Sequence, residues 1–264
     1  LVFDLGGSNL FDVVSMTCLH PLPKRQLREM ATQLLRGLHF LHSLNIVHTD
    51  IKPHNIVLRS SGLNNIRRMR PDGFFLNSVE LYIVDFGDAV ILEKTGSGVV
   101  GTDAYRAPEV TLGLPWTAAI DVFATGCVVV ELYLGRPVFH HTATDIERLA
   151  LLERVLGPFP EHVARSVEHS HSGTFVINPA VRVRFPRPEV KCKDEVKRVM
   201  GAWPLSALVF DMQYLELCSE LMTLDPRHRQ DVRRILASPF LQSCDDEFLV
   251  AEPWESRAIM FPVF

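Results

Sequence analysis

Apolar residues recur at Leu27, Met30, Ala31, Leu34, Leu35, Leu38 and Leu41, the spacing of one face of an amphipathic helix. The pattern stops near Asn45, and Ile46-Val47 then leads into a polar loop. Ile56-Val57-Leu58 and Leu81-Tyr82-Ile83-Val84 are short apolar runs that read as strands, and Leu1-Val2-Phe3 is another, broken by Gly6-Gly7-Ser8-Asn9. Ala118 to Leu134 is nearly all apolar and predicts a buried central helix. Asp145 to Leu156 is amphipathic, with Ile146, Leu149, Leu152, Val155 and Leu156 on one side and Gly157-Pro158 as its stop. Two more helices are expected, about Asp211 to Met222 and Asp231 to Ala237, and a short one opening at Ala107-Pro108-Glu109.

The remaining stretches are polar. Residues 59–80, rich in Ser, Asn, Gly and Arg, read as a surface insertion between paired strands. Residues 157–204, with many Pro, His and basic positions, read as an irregular insert. The expected architecture is a helical body in which two tiny strands frame two polar loops.

Composition narrows the class without naming a partner. The 264 residues are 47% hydrophobic and 22% charged, ordinary for a globular chain that can bury a core. A net charge of -4 gives no reason to expect nucleic acid or a basic membrane patch. The five cysteines (Cys18, Cys127, Cys192, Cys218, Cys244) never stand as Cys-x-x-Cys, which argues against a disulfide scaffold or zinc ribbon and for reduced thiols inside a cell. The longest apolar run, Val122 to Leu134, contains Glu131 and is too short to span a bilayer. The start reads as lacking a secretory leader, and because it is Leu1 rather than methionine, the chain reads as an excerpt.

The chemistry lies in the loops. Asp50, Lys52 and Asn55 follow the first long helix closely and precede a strand. A carboxylate can orient and deprotonate a hydroxyl, an ammonium can neutralise phosphate oxygens, and an amide oxygen can ligate a hard cation. Asp85, followed by Phe86-Gly87 directly after the second strand, suits Mg²⁺ when substrate phosphates complete its coordination. Each string alone is most often ordinary turn chemistry. Their joint, ordered occurrence holds the parts for in-line phosphoryl transfer.

His48-Thr49-Asp50-Ile51-Lys52-Pro53-His54-Asn55 resembles the catalytic loop of eukaryotic protein kinases, Asp85-Phe86-Gly87 their magnesium motif, and Ala107-Pro108-Glu109 the end of their activation segment. Asp121-Val122-Phe123 resembles the start of their central helix, and Asp225-Pro226 with Arg229 their late motif, whose Arg pairs with the Glu at position 109. Thr49 and the string Glu147-Arg148-Leu149-Ala150-Leu151-Leu152-Glu153-Arg154, running on through Gly157-Pro158-Phe159-Pro160, are similar to the LAMMER (Clk-like) kinases of the CMGC group, with Leu for both Met. SR-protein kinases share the Thr and are the alternative.

The resemblance implies a protein-kinase-like α+β fold, of which residues 1–264 form the hinge and the mainly helical C-terminal lobe. It implies a serine/threonine, or dual-specificity, kinase that uses ATP and Mg²⁺ on protein substrates, Arg/Ser-rich splicing factors among them, in the nucleus and/or cytoplasm. Asp50 would be the base or hydroxyl-orienting group, Lys52 would contact the transferred phosphate, and Thr102 would bond to both. Asn55 and Asp85 would hold Mg²⁺; Phe3 would be the gatekeeper, with Asp4 and Gly6 at the adenine and Asp12 at the ribose. Thr49 cannot pair with an activation-loop phosphate as the usual Arg does, so activity is expected without strict dependence on that phosphate. His54 stands where the family usually has Glu, Phe123 where it has Trp, and Asp103-Ala104 where LAMMER kinases carry Arg-His beside the substrate pocket.

A Gly-rich phosphate loop, a strand Lys and a helix Glu are not seen in these residues, so the polypeptide alone is expected to bind ATP poorly and to expose an apolar cleft. An inactive binding module is therefore the alternative from another class, against which Asp50, Lys52, Asn55 and Asp85 all stand intact. His140-His141 and His169-x-His171 lack a ligand set and read as surface histidines rather than zinc sites. Arg67-Arg68-x-Arg70 reads as a solvated loop rather than a docking patch.

Overall fold

The computed structural model describes residues 6–15, 22–60, 66–69, 73–168, 173–186, 193–229 and 231–243. The strand reading of Leu1-Val2-Phe3 and the histidine pair His169 and His171 lie outside them. Helix α1 (Leu10–Ser15) precedes α2 (Lys24–Ser43), which forms because its apolar face has somewhere to go. Leu27, Met30, Ala31, Leu34, Leu35 and Leu38 are each buried to 1% exposure or less. The helix stops where Asn45 turns to a φ of 57°, a left-handed conformation that Asn tolerates better than most residues.

Six short strands follow among the described residues: β1 (Ile46–Val47), β2 (Ile56–Leu58), β3 (Ile66–Met69), β4 (Gly73–Leu76), β5 (Leu81–Ile83) and β6 (Val90–Ile91). They pair as antiparallel ribbons, β1 with β6, β2 with β5 and β3 with β4. The register sets Ile56 opposite Ile83 and Leu58 opposite Leu81, and Val47 opposite Val90. The loop between β1 and β2 and the loop between β5 and β6 are thus pinned side by side at both ends. Two ribbons this short would not persist alone; they are held by burial of Val47, Ile56 and Leu58, with β1 and β5 packing on α2 and β2 on α1.

The 59–80 segment carries the β3–β4 hairpin. Its return limb is bonded to α2 by two glutamines seven residues apart, hence on one helix face. Gln26 bonds both the N–H and the carbonyl of Leu76, and Gln33 accepts from Leu81 N–H and donates to the Val79 carbonyl. Side-chain amides here stand in for a neighbouring strand.

The helical body follows: α3 (Pro108–Thr111), α4 (Ala119–Leu134), α5 (Asp145–Leu156), α6 (Glu161–Glu168), the ribbon β7 (Phe175–Val176) with β8 (Arg182–Val183), α7 (Lys193–Gly201), α8 (Leu205–Leu208), α9 (Met212–Leu221), α10 (Val232–Ile235) and α11 (Pro239–Gln242). Helix α4 is the axis. From Ile120 to Leu132 every residue is buried, and Gly135 ends it at φ 70° by bonding back to the Glu131 carbonyl. At Gly126 a side-chain β-carbon would lie 2.5 Å from Met222 Cγ and 2.9 Å from Leu221 Cβ, so glycine lets α9 lie directly on α4. Thr144 caps α5 by accepting from Glu147 N–H at 3.2 Å, while Glu147 accepts from Ala143 N–H at 2.9 Å.

The irregular reading of 157–204 is corrected: α6, the β7–β8 ribbon and α7 occupy much of it. Each is too short for periodicity to stand out. Helix α6 buries only Val163, Ala164 and Val167 among its described side chains, and α7 only Glu195 and Val199. Their order comes from the core they cover rather than from their own pattern.

Candidate active site

Helix α4 organises the loop between β1 and β2 through one buried carboxylate. Asp121, 1% exposed, accepts from the backbone N–H groups of His48 at 2.8 Å and Thr49 at 2.9 Å, and from His42 Nε2 at 3.0 Å. His48 Nε2 lies 3.0 Å from the Val84 carbonyl, which can only accept, so that nitrogen carries the hydrogen and Nδ1 accepts from Asp50 N–H at 3.3 Å. Thr49 has a φ of 69°, a conformation strained for a β-branched residue. Its hydroxyl donates to the Asp88 carbonyl at 3.0 Å, tying this loop to the one after β5.

Asp50 stands at the centre. Lys52 Nζ lies 2.6 Å from Asp50 Oδ2, and the Thr102 hydroxyl and N–H donate to Oδ1 at 2.7 and 3.1 Å. Lys52 also donates to Thr102 Oγ1 at 3.1 Å. Burial works to raise the Asp50 pKa, but the hydrogen bonds from Lys52 and Thr102 and the Lys52 charge outweigh it and hold the carboxyl below the ordinary aspartate value. It is therefore an ionised acceptor at neutral pH, aimed by the Lys52 and Thr102 donors.

The Asn55 amide nitrogen donates to the Asp50 carbonyl at 2.9 Å and to Asp50 Oδ2 at 3.2 Å. Both partners accept only, so the amide orientation is fixed and Oδ1 is left without a hydrogen-bond partner among the described residues. Asp85 follows β5 at a φ of 65°, exposed, with no hydrogen-bond partner for its carboxylate among the described residues. The Asn55 carbonyl accepts from Val84 N–H at 2.9 Å, which sets the two candidate metal ligands on adjoining loops. Two oxygens of this kind fit Mg²⁺, which takes few protein ligands and keeps the rest for phosphates and water. No cluster of three or more His, Cys, Asp or Glu suited to a metal occurs among the described residues.

The nucleotide candidates divide. Asp4, with the gatekeeper Phe3, lies outside the described residues. Gly6 is exposed, and Gly7 N–H bonds the Leu58 carbonyl at 2.6 Å, so this segment runs beside β2 next to Asn55. Asp12 is exposed on α1, whose Phe11 stacks on His54 with centroids 4.1 Å apart. That stacking accounts for an aromatic ring at position 54.

The activation-segment end is anchored as expected and further than expected. Arg229 holds Glu109 by a bidentate pair at 2.8 and 3.0 Å, both side chains at 1% exposure or less. The same guanidinium bonds the carbonyls of Ala119 and Thr223 and lies 5.1 Å from the Phe123 ring centroid, so a benzyl ring serves where an indole is usual. Two further contacts lie outside the sequence motifs. Tyr105 Oη donates to Glu131 Oε2 at 2.7 Å, and Asp103 accepts from Thr142 N–H at 2.7 Å. The lone Glu131 in an apolar run was a usable signal, since a buried carboxylate needs a partner. Thr142 carried none. Burial pushes the Glu131 pKa up to about 7, against the opposing hydrogen bond from Tyr105.

Comparison with known proteins agrees with this geometry. A family model described as the protein kinase domain matches residues 1–241. The dual specificity protein kinase lkh1 of Schizosaccharomyces pombe is 32% identical over 245 residues, covering 91% of this chain and 35% of that protein. The serine/threonine-protein kinase AFC2 of Arabidopsis thaliana is 33% identical, with 91% and 58% covered, and the dual specificity protein kinase CLK1 of Homo sapiens 32%, with 91% and 49% covered. The chain thus spans less than two thirds of each of these relatives. A solved structure described as a kinase domain superposes with a TM-score of 0.80 at 23% identity, over 90% of this chain and 71% of that one, which shows the fold. The chain belongs to the protein kinase domain family, and its sequence is Clk-like.

Proposed function

We propose that this chain carries the catalytic loop of an ATP-dependent protein serine/threonine kinase of LAMMER type, transferring the γ-phosphate to protein hydroxyls. One observation supports it above the rest: Asp50 is ionised, partly buried and aimed by Lys52, Thr102 and Asn55. In this reading Asp50 accepts the proton of the substrate hydroxyl, and Lys52 balances charge on the transferred group. Thr102 holds both in register. Asn55 and Asp85 would hold Mg²⁺, which when bound neutralises the phosphate oxygens. Gly6 and Asp12 are the described candidates for the nucleotide. The intact Asp50 arrangement favours an enzyme over a binding module.

Protein substrates follow from the family; Arg/Ser-rich splicing factors, dual specificity and a nuclear or cytoplasmic place are our inference from the LAMMER resemblance alone. The test is phosphate transfer from ATP to Ser-containing peptides, wild type against Asp50→Asn. Loss of a general base costs about 10²–10⁴-fold in rate. A drop of that size in a variant that remains folded by circular dichroism is expected, and an undiminished rate would remove Asp50 from the mechanism.

A further inference from the structure

Residues Thr102 to Arg106 form a single extended-then-3₁₀ turn, with the 3₁₀ part at Asp103–Tyr105. The polar side chains of this turn are bonded to different parts of the fold. Thr102 reaches Asp50 and Lys52. Tyr105 reaches Glu131 on α4. Arg106 bonds the carbonyls of Val100 and Gly101 in its own loop, and its carbonyl accepts from Arg148 of α5 at 2.8 Å. Asp103 faces away from Asp50, toward the loop that leads into α5. Its carboxylate accepts from Thr142 N–H at 2.7 Å and from Thr142 Oγ1 at 3.1 Å, with His141 Nδ1 at 3.2 Å and Arg106 Nη1 at 3.6 Å.

The side chain is 14% exposed, so its charge is largely withdrawn from solvent. Arg148, fully buried on α5, ties the same turn to that helix through its bond to the Arg106 carbonyl. In kinases that depend on phosphorylation, a phosphate supplies the anion that pins this region. Here Thr49 leaves no arginine for such a phosphate, and a genetically encoded carboxylate sits one residue from Thr102.

We propose that Asp103 is a positioning residue that fixes the end of the activation segment against the loop ahead of α5, and through it the Thr102 grip on Asp50. This rests on the kinase reading, but the carboxylate clamp itself does not need it. The clamp is tested by hydrogen–deuterium exchange on the full chain, comparing wild type with Asp103→Ala, Asp103→Asn and Thr142→Val. Faster exchange in residues 99–106 and 140–144 of Asp103→Ala, with α2 and α4 unchanged, is expected. Asp103→Asn, which keeps an acceptor for Thr142 N–H, should recover most of the protection. Unchanged exchange in Asp103→Ala overturns the proposal. If that variant unfolds throughout, Thr142→Val decides: local loosening supports the clamp, and none overturns it.

Peptide kinetics give the second readout. Loss of the acceptor for Thr142 in Asp103→Ala should lower kcat/KM for peptide by about tenfold or more, with Asp103→Asn within about threefold of wild type and the KM for ATP unmoved. An equal rise in both KM values would mark a merely structural role and overturn positioning. Absence of transfer in the wild type would count against the kinase reading and leave the exchange result to stand on its own.

Discussion

Glu131 shows how one residue can make stability depend on pH. It is fully buried on α4, with Tyr105 bonded to one oxygen and Oε1 unpartnered among the described residues. Its pKa is raised to about 7, so the folded chain holds a proton there that the unfolded chain has released above about 4.5. Its contribution to stability is therefore full below the unfolded value and is lost as pH rises through about 7. At about 1.4 kcal/mol per pKa unit the loss is on the order of 3 kcal/mol. Urea denaturation at pH 5 and pH 8 should show it in the wild type and not in Glu131→Gln, which is expected to be the more stable of the two at pH 8. Equal pH dependence in both would contradict the assignment. Asp50 has the opposite sign: its lowered pKa adds stability above the ordinary aspartate value, lost as pH falls below it.

Between elements, the Glu109–Arg229 pair is the main polar fastening. It joins the start of α3 to the segment before α10, and reaches α4 through the Ala119 carbonyl. Both groups are out of water, so the attraction is offset by desolvation and the intact pair adds little net stability. Breaking it is another matter, because the arginine charge is left buried. Glu109→Gln should cost about 3–5 kcal/mol by chemical denaturation. A loss under about 1 kcal/mol, the usual figure for an exposed pair, would show that water reaches the guanidinium.

For the molecule as a whole, the activation segment is held at both ends without phosphate. Its early part pairs with Trp116: Gly96 exchanges both backbone hydrogen bonds with it, at 2.8 and 3.1 Å, and the indole donates to the Gly98 carbonyl at 3.1 Å. Its later part is bonded to Asp50, Thr142 and Glu131. Phosphatase treatment, or the double change Thr95→Ala with Ser97→Ala, should accordingly leave peptide phosphorylation within about threefold. A large activation by phosphate at Thr95 or Ser97 would show that the segment needs more than these contacts.

Sequence alone determined the long elements and the catalytic strings. The period of α2 and the apolar length of α4 each commit those segments to one packing, and Asp50, Lys52, Asn55 and Asp85 lie in strings whose order carries the chemistry. The sequence did not reveal α6, α7 or β6, because elements this short take their stability from the surface they cover. It marked Asp103 only as a reversed charge beside a substrate pocket. Tertiary structure decided that this carboxylate turns inward to Thr142, 39 residues away. Local pattern governs which backbone hydrogen bonds a segment can satisfy by itself, whereas a buried charge is satisfied by whatever the fold brings to it.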